Sequence, residues 1–144
     1  LAIFKREKHQ LSERQRDYLT GCYRVPAPPV AFGAGLSGLA SAAIDVSDGL
    51  IADLGHLAAA SSVKIELEAE AIPRSEALRA FWGDDADAIL RAATAGDDYQ
   101  IAFTAPPGLR GPFTRIGEVL AGEGVAVSYN GKLIAVPQPG YRHF

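Results

Sequence analysis

The fold is decided by residues 42–68, AAIDVSDGLIADLGHLAAASSVKIELE, in which the hydrophobic period changes twice. Residues 42–46 form a short apolar run that predicts a buried strand. The next apolar residues recur at i, i+4, i+7 and i+8, the spacing of one helix face: Leu50, Leu54, Leu57 and Ala58. After Ser61-Ser62, apolar and charged residues alternate from Val63 to Ala69, which is typical of a half-buried strand. The stretch therefore predicts a strand, a helix and a second strand.

Downstream, the sequence predicts two further helices and several strands. Ser75 can cap a helix through about Trp82, and Asp84 or Asp85 another through about Ala93. Alternating residues predict strands near 99–103, 116–120 and 125–129, and Asn130-Gly131 predicts a two-residue hairpin turn into 133–136. We expect an α/β (α+β layered) domain with a mixed β-sheet covered by helices on at least one face.

Upstream, the pattern differs from that of a compact domain. Residues 7–20 predict a mostly exposed helix that Gly21 could end, and residues 25–32, VPAPPVAF, predict an extended, proline-rich connector. We therefore divide the chain into residues 1–32, a helix and linker from an upstream unit, and residues 33–144, the α/β domain.

Composition excludes several classes of function. The 144 residues suit one domain, and the formal net charge of −3 argues against non-specific nucleic-acid binding. No apolar run approaches the roughly 20 residues that span a bilayer. The single cysteine, Cys22, excludes an intrachain disulfide and a thiolate cluster and fits a reducing cytoplasm. No signal peptide opens the chain, and residue 1 is Leu and not Met, so we interpret the chain as a fragment or a processed piece of a longer protein.

Two segments could bind phosphate groups. Gly33, Gly35 and Gly38 match the G-x-G-x-x-G pattern, but a dinucleotide site needs a strand directly before these glycines and a helix that opens on them. A proline-rich connector precedes them here, so we interpret them as a flexible approach to the first strand.

The stronger candidate is Asp45-Val46-Ser47-Asp48-Gly49, at a strand-to-helix turn. A capping role would explain Ser47 or Asp48 but not Asp45, since an acid that ends a buried strand is costly unless it is compensated. Asp45 and Asp48 can converge on Mg²⁺, which commonly takes one or two carboxylates together with substrate phosphates. The helix N-terminus and Ser47 would donate hydrogen bonds to phosphate oxygens.

A second acidic segment, Gly96-Asp97-Asp98-Tyr99, precedes the third predicted strand. Its carboxylates could satisfy their own turn, or they could recognise a cationic or polar substrate. The C-terminal residues 140–144, GYRHF, either pack on the domain or stack on a flat ligand. We expect His9 and His56 to be structural or solvated, and Trp82 to lie in the core.

With these motifs in place, residues 20–144 resemble the C-terminal half of the thiamine-monophosphate kinases, in the aminoimidazole ribonucleotide synthetase-like superfamily. The similar features occur in the family's order and are a proline-rich entry, Ala43 to Leu50, Asp53-Leu54-Gly55-His56, Pro73, Gly96 to Tyr99, Phe103-Thr104, Ile116-Gly117 and Gly140-Tyr141-x-His143-Phe144. The segment Asp-Val-Ser-Asp-Gly-Leu is the most specific of them.

The resemblance implies transfer of the γ-phosphoryl group of ATP to thiamine monophosphate, with Mg²⁺ as cofactor. It implies that Asp45 and Asp48 are metal ligands, that Ser47 contacts ATP, that Asp97, or less favourably Asp98, contacts the substrate, and that Tyr141 stacks on the substrate's rings. Direct in-line transfer requires no covalent nucleophile. The family is also implied to have an N-terminal domain that completes the site and forms a homodimer, so we expect this chain alone to be inactive.

The sequence departs from the family pattern at three places: Asp97 stands where the family commonly has Glu, Gln100 also replaces Glu, and an arginine is lacking near Pro29. Two alternatives stay open. The chain could belong to an ATP-dependent enzyme of the same superfamily with another substrate, or it could be a non-catalytic ligand-binding or assembly domain.

Overall fold

The computed structural model describes residues 11–137 and residue 140. In chain order, the helices are α1 (Glu13–Arg24), α2 (Val30–Gly35), α3 (Leu50–Ser61), α4 (Glu76–Trp82) and α5 (Ala86–Ala93), with a 3₁₀ turn at Ala69–Ala71. The strands are β1 (Ala42–Val46), β2 (Lys64–Glu68), β3 (Gln100–Thr104), β4 (Gly117–Leu120), β5 (Gly124–Tyr129) and β6 (Lys132–Ile134). None of the helices in this part of the chain is both long and apolar enough to span a bilayer.

Helix α3 is the central element and confirms the predicted strand–helix–strand unit. Its predicted apolar face is buried: Leu50, Leu54, Leu57 and Ala58. The helix packs against β1 and also against β2 and β5, so it joins the two sheets through one core. It ends at Ser61, and the next residue, Ser62, has a positive φ of 51°, consistent with the predicted break.

The strands form two sheets. In the four-stranded sheet the order is β4-β2-β5-β6, with β2 and β5 parallel and the other neighbours antiparallel. This sheet is mixed, as predicted, and its buried side chains Leu67 and Val127 face the core. Strands β1 and β3 form a separate antiparallel pair that places Asp45 opposite Ile101. The sequence did not predict this division.

Local signals in the sequence account for several element ends. Ser75 caps α4 by accepting the Leu78 N–H at 3.1 Å, and Asp85, of the two predicted candidates, caps α5 by accepting the Ala88 N–H at 2.8 Å. Asn130 and Gly131 both have positive φ, as the predicted hairpin turn between β5 and β6 requires.

The structure corrects the predictions for the N-terminal region. The helix occupies Glu13–Arg24 and passes through Gly21, whose position is open enough that packing does not force a break. Ser12 and Gln15 form a capping box that fixes its start. Residues 7–10 of the predicted helix lie outside the described residues. The connector is also shorter than predicted, because Val30–Gly35 forms α2, whose Phe32 ring packs 5.9 Å from that of Phe103.

Candidate metal and phosphate site

The first acidic turn joins β1 to α3 over residues 47–49. Gly49 has a φ of 125°, which L side chains rarely adopt, and a β-carbon there would lie 3.0 Å from the Thr94 carbonyl oxygen. Glycine is therefore required for both conformation and space. Ser47 and Asp48 are half-buried.

Asp45 is exposed, which corrects the inference that it ends a buried strand. The reason is that β1 pairs only with β3 among the described strands, and alternate residues of β1 face solvent. The cost of burying a charge is therefore no argument that Asp45 needs a compensating cation. Its place one residue before the end of β1, beside the turn, is as predicted.

A third carboxylate, Asp53, lies inside the turn. Its side chain is buried in the first part of α3, with 4% of its surface exposed. The Oδ2 atom accepts hydrogen bonds from the backbone N–H groups of Ser47, Asp48 and Gly49, at 2.9, 3.1 and 3.2 Å. These three donors point inward and are occupied by Asp53. They precede the first helical residue, Leu50, so a phosphate contact at the helix N-terminus stays a prediction. The Ser47 hydroxyl stays a candidate.

The second acidic segment lies directly against the first. The Asp97 N–H donates to the Ser47 carbonyl at 2.8 Å, and the Tyr99 N–H donates to the Val46 carbonyl at 2.8 Å. A β-carbon on Gly96 would lie 2.5 Å from the Ser47 carbonyl oxygen. The backbone contact therefore brings together the two segments that the sequence selected separately.

The two acids of this segment differ in their surroundings. Asp97 accepts a hydrogen bond from the Tyr99 hydroxyl at 3.1 Å, and this bond raises the pKa of the tyrosine. Protein atoms around the Asp98 carboxylate limit its hydration, although the residue as a whole is exposed. This desolvation, with added repulsion from Asp97, raises the pKa of Asp98 to about 6.

Gly140, near the C-terminus, also lies against the first turn. Gly140 is buried, and a β-carbon on it would lie 2.7 Å from the Asp48 carbonyl oxygen and 2.5 Å from the Ala52 side chain. A glycine is needed at this contact because any side chain would meet backbone. The predicted stacking residue Tyr141 lies outside the described residues, as do His9, His143 and Phe144.

The oxygen ligands of the turn suit a hard cation. The possible ligand atoms of Asp48, Asp53 and His56 lie within 4.8 Å of one another, with His56 exposed on α3. Carboxylate oxygens are the ligands that Mg²⁺ prefers, whereas His is not typical of it. The carboxylates of Asp48 and Asp53 therefore fit Mg²⁺ by their chemistry, whereas His56 does not.

Sequence reasoning missed the part played by Asp53. The available signal was its position on the apolar face of α3, three residues after Leu50 and four before Leu57. An acid on a buried face needs hydrogen-bond partners, and the nearest are the amides of the preceding turn. The structure also places the other candidates: Gly33 and Gly35 lie within α2 and not in a flexible approach, Cys22 is exposed, and Trp82 is half-buried near the Arg91 guanidinium.

The fold and its two adjoining acidic segments define an α/β domain with a carboxylate-lined turn suited to a divalent cation. No protein-family model matches the chain. Curated relatives do match: thiamine-monophosphate kinase of Salmonella typhimurium is 35% identical over 100% of this chain and 48% of its own length. The enzyme of Aquifex aeolicus is 43% identical over 73% of this chain and 34% of its own length.

Solved structures give the same result. A structure described as AaThiL complexed with AMPPCP and TMP superposes with a TM-score of 0.78 and 34% identity, over 95% of this chain and 44% of that one. A thiamine-monophosphate kinase from Stenotrophomonas maltophilia has a TM-score of 0.75 and 38% identity, over 88% of this chain and 42% of its own. The chain is therefore homologous to thiamine-monophosphate kinases throughout its length, and its fold is that of their C-terminal domain. It spans about half the length of the curated relatives it matches.

Proposed function

We propose that this chain forms one wall of a thiamine-monophosphate kinase site, which transfers the γ-phosphoryl group of ATP to thiamine monophosphate and yields thiamine diphosphate. The observation that carries the proposal is the backbone contact between the acidic turn at residues 45–49 and the acidic segment at residues 96–99. A phosphoryl transfer requires donor and acceptor side by side, and two adjoining carboxylate segments can serve them separately.

The charges of the first turn favour a metal-bridged phosphate. Asp45 and Asp48 would repel a bare triphosphate, so we assign them as ligands of Mg²⁺, which neutralises phosphate charge when bound. The Ser47 hydroxyl lies between them in sequence and is our candidate for a contact with ATP. Since AMPPCP is an analogue of ATP, the neighbouring AaThiL complex supports this nucleotide as the co-substrate.

The second segment suits the acceptor. Thiamine carries a positively charged thiazolium ring, and a carboxylate at Asp97 can attract it. Asp97 is oriented by the Tyr99 hydroxyl, whereas Asp98 lies in a less hydrated position, so we favour Asp97 over Asp98 as the substrate contact. Tyr141 follows Gly140, which lies against the first turn, and we assign it to stacking on the substrate's rings.

The remaining assignments concern the complete protein. Because the chain spans about half the length of its relatives, we propose that residues 1–32 lead from an N-terminal domain that completes the site. Residues 33–144 then form the C-terminal domain. We also propose a homodimer in the cytoplasm.

The function is tested with the complete protein that contains this sequence, supplied with ATP, Mg²⁺ and thiamine monophosphate. We expect thiamine diphosphate to form, and Asp48→Asn to lower kcat/KM at least about a hundredfold because electrostatic stabilisation at the phosphate is lost. Asp87→Asn is the matched control: it removes the same charge from an exposed position in the first turn of α5.

Absence of thiamine diphosphate with wild-type protein would overturn the proposed substrate, and turnover of another small molecule in competition assays would identify a different enzyme of the superfamily. Ligand binding that is unchanged by both Asp45→Asn and Asp48→Asn would support a non-catalytic binding domain instead.

A further inference from the structure

Asp53 is a buried acid that none of the roles above uses. It shares the helix face of Leu50 and Leu54, and its charge is not compensated by a nearby cation among its described contacts but by three backbone amides that share one oxygen. Hydrogen bonds to an ionised acceptor are roughly twice as strong as neutral ones. The carboxylate therefore fixes the path of three consecutive residues, 47 to 49.

Two of these amides belong to Ser47 and Asp48, the residues that we propose contact ATP and Mg²⁺. The Ser47 and Asp48 side chains project from the backbone that Asp53 holds, and Gly49 supplies the φ of 125° that lets the third amide turn inward. The Ser47 carbonyl faces outward and accepts the Asp97 N–H, whereas the Gly49 carbonyl accepts the Asp53 N–H at 2.9 Å. One carboxylate thus sets the inner side of a turn whose outer side contacts the second acidic segment.

We propose that Asp53 is a positioning residue for the acidic turn: it holds Ser47 and Asp48 for Mg²⁺ and phosphate and is not itself a ligand of the metal. The expected effect of Asp53 on catalysis rests on the proposed function. Its hold on the backbone of residues 47–49 does not depend on that function. The alternative is a metal bound by Asp48, Asp53 and His56. Asp53 could join that cluster only through Oδ1, because its Oδ2 already accepts three hydrogen bonds.

The first test uses the wild-type complete protein. Couplings through the hydrogen bonds, from the amide nitrogens of residues 47–49 to the Asp53 carboxyl carbon, are measured by NMR before and after Mg²⁺ is added. We expect the couplings in both states. Their disappearance when Mg²⁺ binds would overturn the proposal, because Asp53 would then have left the amides for the metal.

The second test compares Asp53→Asn with two controls, Asp87→Asn and His56→Gln. We expect Asp53→Asn to shift the amide protons of residues 47–49 upfield and to weaken Mn²⁺ binding, followed by electron paramagnetic resonance, about 10- to 100-fold. In the kinase assay, the Mg²⁺ concentration for half-maximal rate should increase while kcat recovers at saturating Mg²⁺. Both controls should match wild type in metal binding.

The outcomes separate the two proposals. If His56→Gln weakens Mn²⁺ binding as much as Asp53→Asn does, the three-residue metal cluster is correct and the positioning role is wrong. Unchanged Mn²⁺ affinity in Asp53→Asn also overturns it. If the predicted couplings and Mn²⁺ effects are found but wild-type protein makes no thiamine diphosphate, the positioning role stands and the proposed substrate fails.

Discussion

At the scale of single residues, Asp98 offers a test of the electrostatics in the second acidic segment. Its pKa is raised from 3.8 to about 6, first by desolvation and then by Asp97. The ionised form is therefore disfavoured in the fold: this destabilisation is absent below about pH 4, grows up to about pH 6 and is complete above it. We expect carboxyl carbon NMR on metal-free protein to show a midpoint near pH 6 for Asp98.

The neighbouring charge supplies the control. Asp97→Asn should lower the Asp98 midpoint, because it removes the repulsion and leaves the desolvation. Asp98→Asn should increase the free energy of unfolding relative to wild type above about pH 6 and leave it unchanged below about pH 4. A wild-type midpoint close to the ordinary aspartate value would contradict this account of the segment.

At the scale of elements, the site depends on the close approach of two loops. Gly96→Ala would place a β-carbon 2.5 Å from the Ser47 carbonyl oxygen, so the loops must separate. We expect urea unfolding to show a loss of about 1–3 kcal/mol, the usual cost of overpacking, and kinetics to show a higher KM for thiamine monophosphate. Gly21→Ala is the control, because a β-carbon there meets nothing within 4 Å.

In contrast to Gly96→Ala, Gly21→Ala should increase the free energy of unfolding. Gly21 lies inside α1, where alanine stabilises a helix by roughly 0.5–1 kcal/mol relative to glycine. Equal losses of stability in both variants would show that the contact between Gly96 and Ser47 is not what makes the first substitution costly.

The elements also show how far the sequence determines the fold and the site. Periodicity and caps predicted α3, β2 and the two helices after Ser75, because their signals are local. The pairing of β1 with β3 was missed because it joins residues far apart in the sequence, and the path through Gly21 was missed because a glycine can end a helix but does not have to. The candidate site shows the same difference between local and non-local signals. Spacing along the sequence was enough to select Asp45, Ser47 and Asp48. The partnership of Asp53 with three amides depends on how the turn folds back onto the helix.

At the scale of the whole molecule, one acidic wall cannot stabilise a phosphoryl transfer alone. The chain has a formal net charge of −3, and in the proposed function its two adjoining turns would present carboxylates to a substrate that is itself anionic at its phosphate. The proposed function therefore requires positioning and charge neutralisation from the N-terminal domain that we propose for the complete protein. We expect residues 1–144 alone to unfold cooperatively in circular dichroism, yet to form thiamine diphosphate at least about a thousandfold more slowly than the complete protein.

A mixing experiment makes this last prediction specific. Adding the separately produced other half of the protein to residues 1–144 should restore thiamine diphosphate formation, and it should not do so when residues 1–144 carry Asp48→Asn. Since Asp87→Asn leaves the acidic turn intact, that variant should be restored as well as wild type. Turnover by residues 1–144 alone at a rate close to that of the complete protein would show instead that this one wall contains the whole active site.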